Sequence, residues 1–300
     1  MPCYHPLKGW RRRAGGVTFN RQEGYSDRPV EVPCGQCIGC RIDRSQEWAI
    51  RCMHEAQMHD FNCFLTLTYD DENIPEDWSI SPRVLQIFMK DLRNKFGSGI
   101  RFFGCGEYGE LNWRPHYHVL LFNHYFKDQY LWEEKQGNRL YRSSSLEQLW
   151  PYGFSTIGSV TMQSAAYVAR YILKKVNGDV ADDHYTWVDD DGVVHHRHPE
   201  FISMSRGGRT GQKGIGESWL QKYAYTDAFD HDFVVLDGRK YPVPRFYQKR
   251  LQEWEEQRYR ENRAKRKRRA VGNADNNTPA RLKVREQVAK AKLKNARRNL

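Results

Sequence analysis

Glu107, His116 and His118 are the residues from which a chemistry is most directly read. They lie in the stretch Arg101 to Phe122, RFFGCGEYGELNWRPHYHVLLF. His116 and His118 stand one residue apart and lead into the apolar run Val119, Leu120, Leu121, Phe122, which reads as a strand. Strand side chains alternate with period two, so the two imidazoles project from one face. Phe103, Cys105 and Glu107 share a face of the preceding strand, and Gly109 and Pro115 let the chain turn back toward it. Two imidazoles and a carboxylate on an open sheet face make a three-ligand site for a divalent cation, with positions left for substrate. Glu110 is the alternative third ligand. An H-x-H pair alone carries little weight, because histidines also sit in cores and on surfaces with ordinary partners.

A second pattern raises its weight. Ser164 to Lys175, SAAYVARYILKK, has helical apolar periodicity and carries Tyr167 and Tyr171 four residues apart. That spacing puts both phenols on one helical face. Each is followed three residues later by a cation, Arg170 and Lys174. Cleavage of a phosphodiester by tyrosine requires a phenol, whose pKa is ordinarily about 10, to act as nucleophile. It also requires neutralisation of charge on the non-bridging oxygens. A cation held by Glu107, His116 and His118 would polarise and orient the phosphate. Lys174, one turn beyond Tyr171, would favour the phenolate and contact phosphate. Imidazole ligands suit Mn²⁺, whereas Mg²⁺ prefers oxygen, so either ion is a candidate.

Several elements must position these groups. Phe61 to Tyr69, FNCFLTLTY, is β-branched and aromatic and reads as a strand ending in the acidic turn Asp70, Asp71, Glu72. Arg41 to His59 has a helical apolar stripe. Ser81 caps a helix that has Pro82 at its first position and stops near Gly97. Gly153 to Val160 reads as a further strand feeding the tyrosine helix, after a short helix at Ser145 to Trp150. The order β-α-β-β-(α)-β-α predicts an α+β fold, a central antiparallel sheet with helices on one face. Further on, YTWVDDDGVVHHRH reads as a hairpin whose D-G pair makes the turn.

The ordered set of Thr66-Leu67-Thr68, His116-Tyr117-His118 and Y-x-x-R-Y-x-x-K from Tyr167 to Lys174 resembles the motifs of two-tyrosine HUH endonucleases. More narrowly, GEYGELNWRPHYH, the opening CGQCIGCR and YVARYILKK resemble replication initiators of microviruses of the gokushovirus branch. The resemblance covers roughly residues 1 to 250. It implies site-specific nicking and joining of single-stranded DNA through a 5′-phosphotyrosine, starting and ending rolling-circle replication of a small circular phage genome. One tyrosine would attack the origin and free a 3′-OH for synthesis. The other would attack the regenerated origin, so that the released end closes the circle without ATP. The implied partners are single-stranded DNA at the origin and the host replication helicase and polymerase, in the cytoplasm of the bacterial host.

Seven cysteines, an odd number in a chain of this length, argue against a disulfide framework. Cys34, Cys37 and Cys40 stand at successive C-x-x-C spacing, and Cys3 is the candidate fourth ligand of a structural Zn²⁺. Reduced cysteines at a Gly-rich helix start, or an iron–sulfur cluster, are the alternatives. Residues 1 to 33 are Gly-, Arg- and Pro-rich and read mostly as loop, with room for a short hairpin. The net charge of +11 resides in the tail: residues 258–300 carry +13 and residues 1–257 carry −2. Such a tail gives salt-sensitive, sequence-independent attraction to nucleic acid. The expected organisation is a Cys-rich segment and helix at 1–60, a nuclease domain at 61–250 and a basic, helical or disordered tail at 251–300. No apolar run approaches the ~18 residues of a membrane span, and the first residues lack the apolar segment of a secretory signal. Two other readings use the same features. One is a nonenzymatic single-strand-binding protein with a zinc knuckle, the other a two-tyrosine transposase or relaxase.

Overall fold

Alternation of buried and half-buried residues marks the central strand of the main sheet, Asn62–Tyr69. The structure, a computed structural model, describes residues 3–297 except 110–111, 136, 171–174, 177 and 208–212. Contacts divide the chain into two compact units, one drawn from residues 1–44 and 251–300 and the other from residues 45–250.

In the first unit, β1 (Leu7–Arg12), β2 (Val17–Thr18) and β3 (Gly24–Val32) form an antiparallel sheet in the order β2-β1-β3. This is more structure than the loop-like composition predicts. Two of the sheet's glycines, Gly9 and Gly24, sit inside strands at close approaches. A Cβ on Gly24 would meet Trp10 Cβ at 2.5 Å, and one on Gly9 would meet the Thr18 carbonyl oxygen at 2.7 Å. Helix α1 (Ile38–Ala56) starts in this unit and ends in the other.

The second unit is built on a seven-stranded antiparallel sheet. Its strands, in chain order, are β4 (Asn62–Tyr69), β5 (Arg101–Tyr108), β6 (Pro115–Phe122), β7 (Tyr130–Lys135), β8 (Asn138–Arg142), β9 (Gly153–Gly158) and, after a small hairpin, β12 (Phe201–Met204). They lie in the order β12-β5-β6-β4-β9-β8-β7. The hairpin is β10 (Thr186–Val188) with β11 (Val194–His196), spanning the predicted D-G turn. The fold is α+β, as the element order predicts.

Helices α2 (Pro82–Phe96) and α3 (Ser144–Leu149) share one buried cluster with Leu65, Leu67 and Tyr69 of β4. The Ser81 hydroxyl accepts from the Arg83 N–H and starts α2 as the sequence predicts. The opposite face is covered too, by Ala49 and Cys52 of α1 and by Ala165, Val168 and Ala169 of α4 (Met162–Arg170). Helices therefore lie on both faces rather than one. The cause is that β5 and β6 are apolar on both sides: Phe103, Cys105, Leu120 and Phe122 need cover as much as Phe102, Val119 and Leu121. The C-terminal half of α1 belongs with the sheet for the same reason.

The remaining elements are α5 (Ala181–Tyr185), α6 (Glu217–Tyr223), the hairpin of β13 (Phe233–Leu236) and β14 (Arg239–Pro242), and α7 (Arg245–Trp254). The basic tail is helical, in α8 (Glu256–Val271) and α9 (Pro279–Arg297). No described helix is long and apolar enough to cross a membrane.

Candidate active site and a thiol cluster

Register places the candidate ligands. Glu107 of β5 stands opposite His116 of β6, and Cys105 opposite His118. Glu107, His116 and His118 thus continue the row of Phe103, Cys105, Leu120 and Phe122 on the face covered by α1 and α4. Both Nε2 atoms lie 2.8 Å from Glu107 Oε1. Glu107 and His118 are buried, and His116 is half-buried. Burial pushes the Glu107 carboxyl up, but hydrogen bonds and charge from His116 and His118 outweigh it and hold the group at about 2.

The far side of each imidazole is also held. His118 Nδ1 lies 3.1 Å from Thr66 Oγ1 on β4, and His116 Nδ1 lies 3.0 Å from the Arg114 carbonyl oxygen. Arg114 is fixed in turn by Asp71 and by the Tyr69 carbonyl, its Nη1 donating at 2.8 Å. The Arg114 carbonyl can only accept, so His116 carries its hydrogen on Nδ1. In the neutral ring, Nε2 then turns a lone pair toward Glu107 Oε1, and two acceptors face each other at 2.8 Å. A proton on Nε2, or a cation shared by both atoms, removes that conflict. With metal–ligand bonds of about 2.1 Å, neighbouring donors lie about 3 Å apart. The spacing and chemistry of these three donors fit a divalent ion, and the Thr66 hydroxyl and Arg114 carbonyl fix the rings as hydrogen-bond partners behind metal ligands do.

Tyr167 of α4 reaches the same cluster. Its hydroxyl donates to Glu107 Oε1 at 3.3 Å, and its ring meets His118 edge-on at 5.0 Å between centroids. The Arg170 guanidinium lies 5.9 Å from the centre of the Tyr167 ring. The structure therefore brings together Glu107, His116, His118 and Tyr167. Tyr171, Lys174 and the alternative ligand Glu110 lie outside the described residues. The acidic turn is exposed at Asp71 and Glu72, and the Asp70 carboxylate accepts from the Asn73 N–H at 2.9 Å.

The positioning roles of Thr66 and the Arg114 carbonyl were not read from the sequence. Thr66 had a signal, since Thr66 and Thr68 alternate with the buried Leu65, Leu67 and Tyr69. Arg114 had none, because a carbonyl is common to every residue.

The thiols form a second cluster. Cys3, Cys34, Cys37 and Cys40 have sulfurs within 4.8 Å of one another, and all are free. Cys3 Sγ lies 3.6 Å from Cys34 Sγ and 3.8 Å from Cys37 Sγ. Zinc–sulfur bonds of about 2.3 Å in a tetrahedron put sulfurs about 3.8 Å apart. Backbone N–H groups aim at the sulfurs: Cys34 at Cys3 (3.2 Å), Cys37 at Cys34 (3.2 Å) and Tyr4 at Cys37 (3.3 Å). Burial pushes the Cys37 thiol up, but hydrogen bonds from the Cys40 and Tyr4 N–H groups and with the Cys34 and Cys40 thiols bring it to about 6, while burial and its neighbours drive Cys40 up to about 12. Four thiolates this close repel one another unless a cation is shared between them. The donor set fits a closed four-sulfur metal site.

A family model for replication-associated protein ORF2/G2P matches residues 62–176, which include β4, the Glu107–His118 pair of strands and α4. The replication-associated protein VP4 of Bdellovibrio phage phiMH2K is 34% identical over 262 residues, covering 83% of this chain and 76% of that protein. The chain belongs to the microvirus-type replication initiators. Replication-associated protein ORF2 of Spiroplasma virus 4 is 30% identical over 86% of this chain and 83% of its own length. Replication-associated protein ORF4 of Chlamydia phage 1 is 28% identical over 72% of this chain and 52% of its own length. No solved structure matches the chain. The family-model match takes in Glu107, His116, His118 and Tyr167 of this initiator and leaves out its four clustered cysteines.

Proposed function

We propose that this replication initiator nicks and rejoins single-stranded DNA at a phage replication origin, with Tyr167 as a nucleophile beside the Glu107–His116–His118 cluster. Membership of the family supports a role in replication of a small phage genome. The observation that carries the finer reading is the 3.3 Å contact between the Tyr167 hydroxyl and Glu107 Oε1. It supports the reading of that hydroxyl as the nucleophile, since a phosphate held by the three candidate ligands would lie within its reach.

Glu107, His116 and His118 would hold Mg²⁺ or Mn²⁺, which neutralises charge on the scissile phosphate and orients it when bound. The protein supplies the rest. Glu107 Oε1 orients the Tyr167 hydroxyl, and Thr66 and the Arg114 carbonyl keep the imidazoles from rotating. The positive charge of Arg170, 5.9 Å from the ring centre, would offset charge that builds on the oxygen during attack. The Tyr167 oxygen bonds to phosphorus as the bond to the 3′ oxygen breaks; the phenol gives its proton to water and the leaving oxygen takes one from water, which leaves a 5′-phosphotyrosine and a free 3′-OH. Host polymerase and helicase in the bacterial cytoplasm would extend that end. Tyr171 would perform the second attack that closes the circle. The four cysteines would hold a structural Zn²⁺.

The test is covalent capture. Protein, Mn²⁺ and circular single-stranded DNA carrying the origin are mixed, denatured and examined for protein that stays on the DNA. Tyr167→Phe combined with Tyr171→Phe abolishes the adduct on this reading. A double variant that forms it as before sinks the reading, and a protein that binds DNA without any adduct is the nonenzymatic binder.

A further inference from the structure

We propose that the four-cysteine site is a zinc-dependent staple that holds the basic helix α9 in place. This rests on the reading of the thiols as a zinc site and goes beyond it by giving the metal a task.

The connection is three residues long. Cys3 places its sulfur in the cluster, Tyr4 is buried, and His5 Nε2 contacts Glu286 of α9 at 2.9 Å. Tyr4 packs with Leu282 and Ala289, both buried on an otherwise largely exposed helix, and Cys37 and Ile38 complete that small core. Leu282, Glu286 and Ala289 are spaced i, i+4, i+7 and so form one stripe of α9. The stripe is short of apolar residues, and its contacts run to Tyr4 and His5, in a peptide anchored by Cys3, and to the small core completed by Cys37 and Ile38.

The rest of α9 explains what the staple would serve. Arg281, Lys283, Arg285, Lys290, Lys292 and Lys294 make the helix strongly cationic. Self-repulsion of these charges opposes both helix formation and docking, and one small apolar contact is weak compensation. Fixing Cys3 to Cys34, Cys37 and Cys40 removes the freedom of the N-terminal segment beforehand, so docking of Tyr4 onto Leu282 costs less ordering entropy. With zinc bound, α9 would present its cations as a fixed array to DNA phosphates. Without it, the same charges would sit on a loose tail.

Full-length protein grown with zinc is assayed for metal content and for amide hydrogen exchange across residues 279–294. The expected result is one zinc per chain and slow exchange in α9, with exchange at least about tenfold faster in Cys34→Ser and in protein stripped by a chelator. Tyr4→Ala separates the staple from the metal: it keeps its zinc yet exchanges fast in α9. Zinc content near zero in the unmodified protein overturns both the zinc reading and the staple. Zinc present, with α9 exchange the same in all forms, overturns the staple alone. DNA-adduct formation, measured alongside, reports on the nicking reading independently of either result.

Discussion

The two candidate metal clusters differ in a way that runs against intuition. The cluster proposed for catalysis is the more buried: Glu107 is 1% exposed and His118 4%. Three of the four thiols in the proposed structural cluster are only half-buried. Burial therefore does not tell the proposed catalytic role from the proposed structural one. The donor count does. Four sulfurs complete a tetrahedron and leave nothing for a substrate, whereas one carboxylate and two imidazoles leave positions open. The neighbours differ as well. Around the thiols the contacts are backbone N–H groups, which stabilise thiolate and react with nothing. Beside the carboxylate and imidazoles stands a phenol with a cation near its ring.

The sharpest way to break this contrast is to exchange the effects of mutations. Tyr167→Phe with Tyr171→Phe takes adduct formation below detection, because no hydroxyl remains to bond phosphorus. Cys34→Ser leaves adduct yield per folded molecule largely unchanged while zinc content falls. If serine at 34 stopped cleavage as fully as the phenylalanines, the division of labour between the clusters would be wrong.

His118→Ala comes next. Loss of one of three donors weakens ion binding and removes phosphate polarisation worth several kcal/mol, so the adduct rate falls by at least about 10²-fold. Excess Mn²⁺ restores part of it. A chelator that clears this cluster stops cleavage reversibly, and a rate unaffected by the chelator would remove the metal from the scheme. Thr66→Val is milder. Loss of the outer contact on His118 Nδ1 raises the Mn²⁺ concentration for half-maximal rate by about 10–100-fold and leaves the plateau rate nearly intact. A lowered plateau with unchanged Mn²⁺ dependence would assign Thr66 a different task.

How much of this was legible in the sequence follows from the distance over which each feature is encoded. Glu107 lies nine and eleven residues before His116 and His118 on the neighbouring strand, so period-two alternation and one turn suffice to bring them together. Tyr167 was legible through helical spacing. Its contact with Glu107 spans sixty residues and depends on α4 packing over Phe103, Cys105 and Leu120, which only the fold supplies. The β7–β8 pair was hidden because YLWEEK and NRLYR are rich in charge, and β7, exposed from Tyr130 to Glu134, is an edge strand without the apolar alternation that marks β4. Strand β12 was hidden for a related reason. FISM is four residues long, and nothing local says that it adds to the edge of β5. Cover on both faces could have been inferred from the unbroken apolar run Val119 to Phe122, which alternation would not produce.

A third histidine sharpens the comparison through stability rather than activity. His54 has the residue type of the cluster proposed for catalysis and none of its companions. It is fully buried, stacks on Trp219 with ring centroids 3.5 Å apart, and shares a hydrogen bond of 3.0 Å between Nδ1 and the Tyr247 hydroxyl. No carboxylate offsets the cost of charging it, and burial lowers its pKa to about 3. The unfolded chain has an ordinary histidine there, with a pKa of about 6.5. Between those values the unfolded state binds the extra proton, so stability is intact above about pH 6.5 and declines as pH falls toward 3. The decline from this group is at most about 1.4 kcal/mol per pH unit. Denaturant unfolding of the full chain, with the sheet-bearing unit followed by tryptophan fluorescence, measures it. His54→Gln, which cannot take up a proton, flattens the slope between pH 6 and 4 even where it lowers stability at pH 7. An unchanged slope would mean that His54 already finds a way to be charged in the folded protein, and that burial alone does not separate it from His116 and His118.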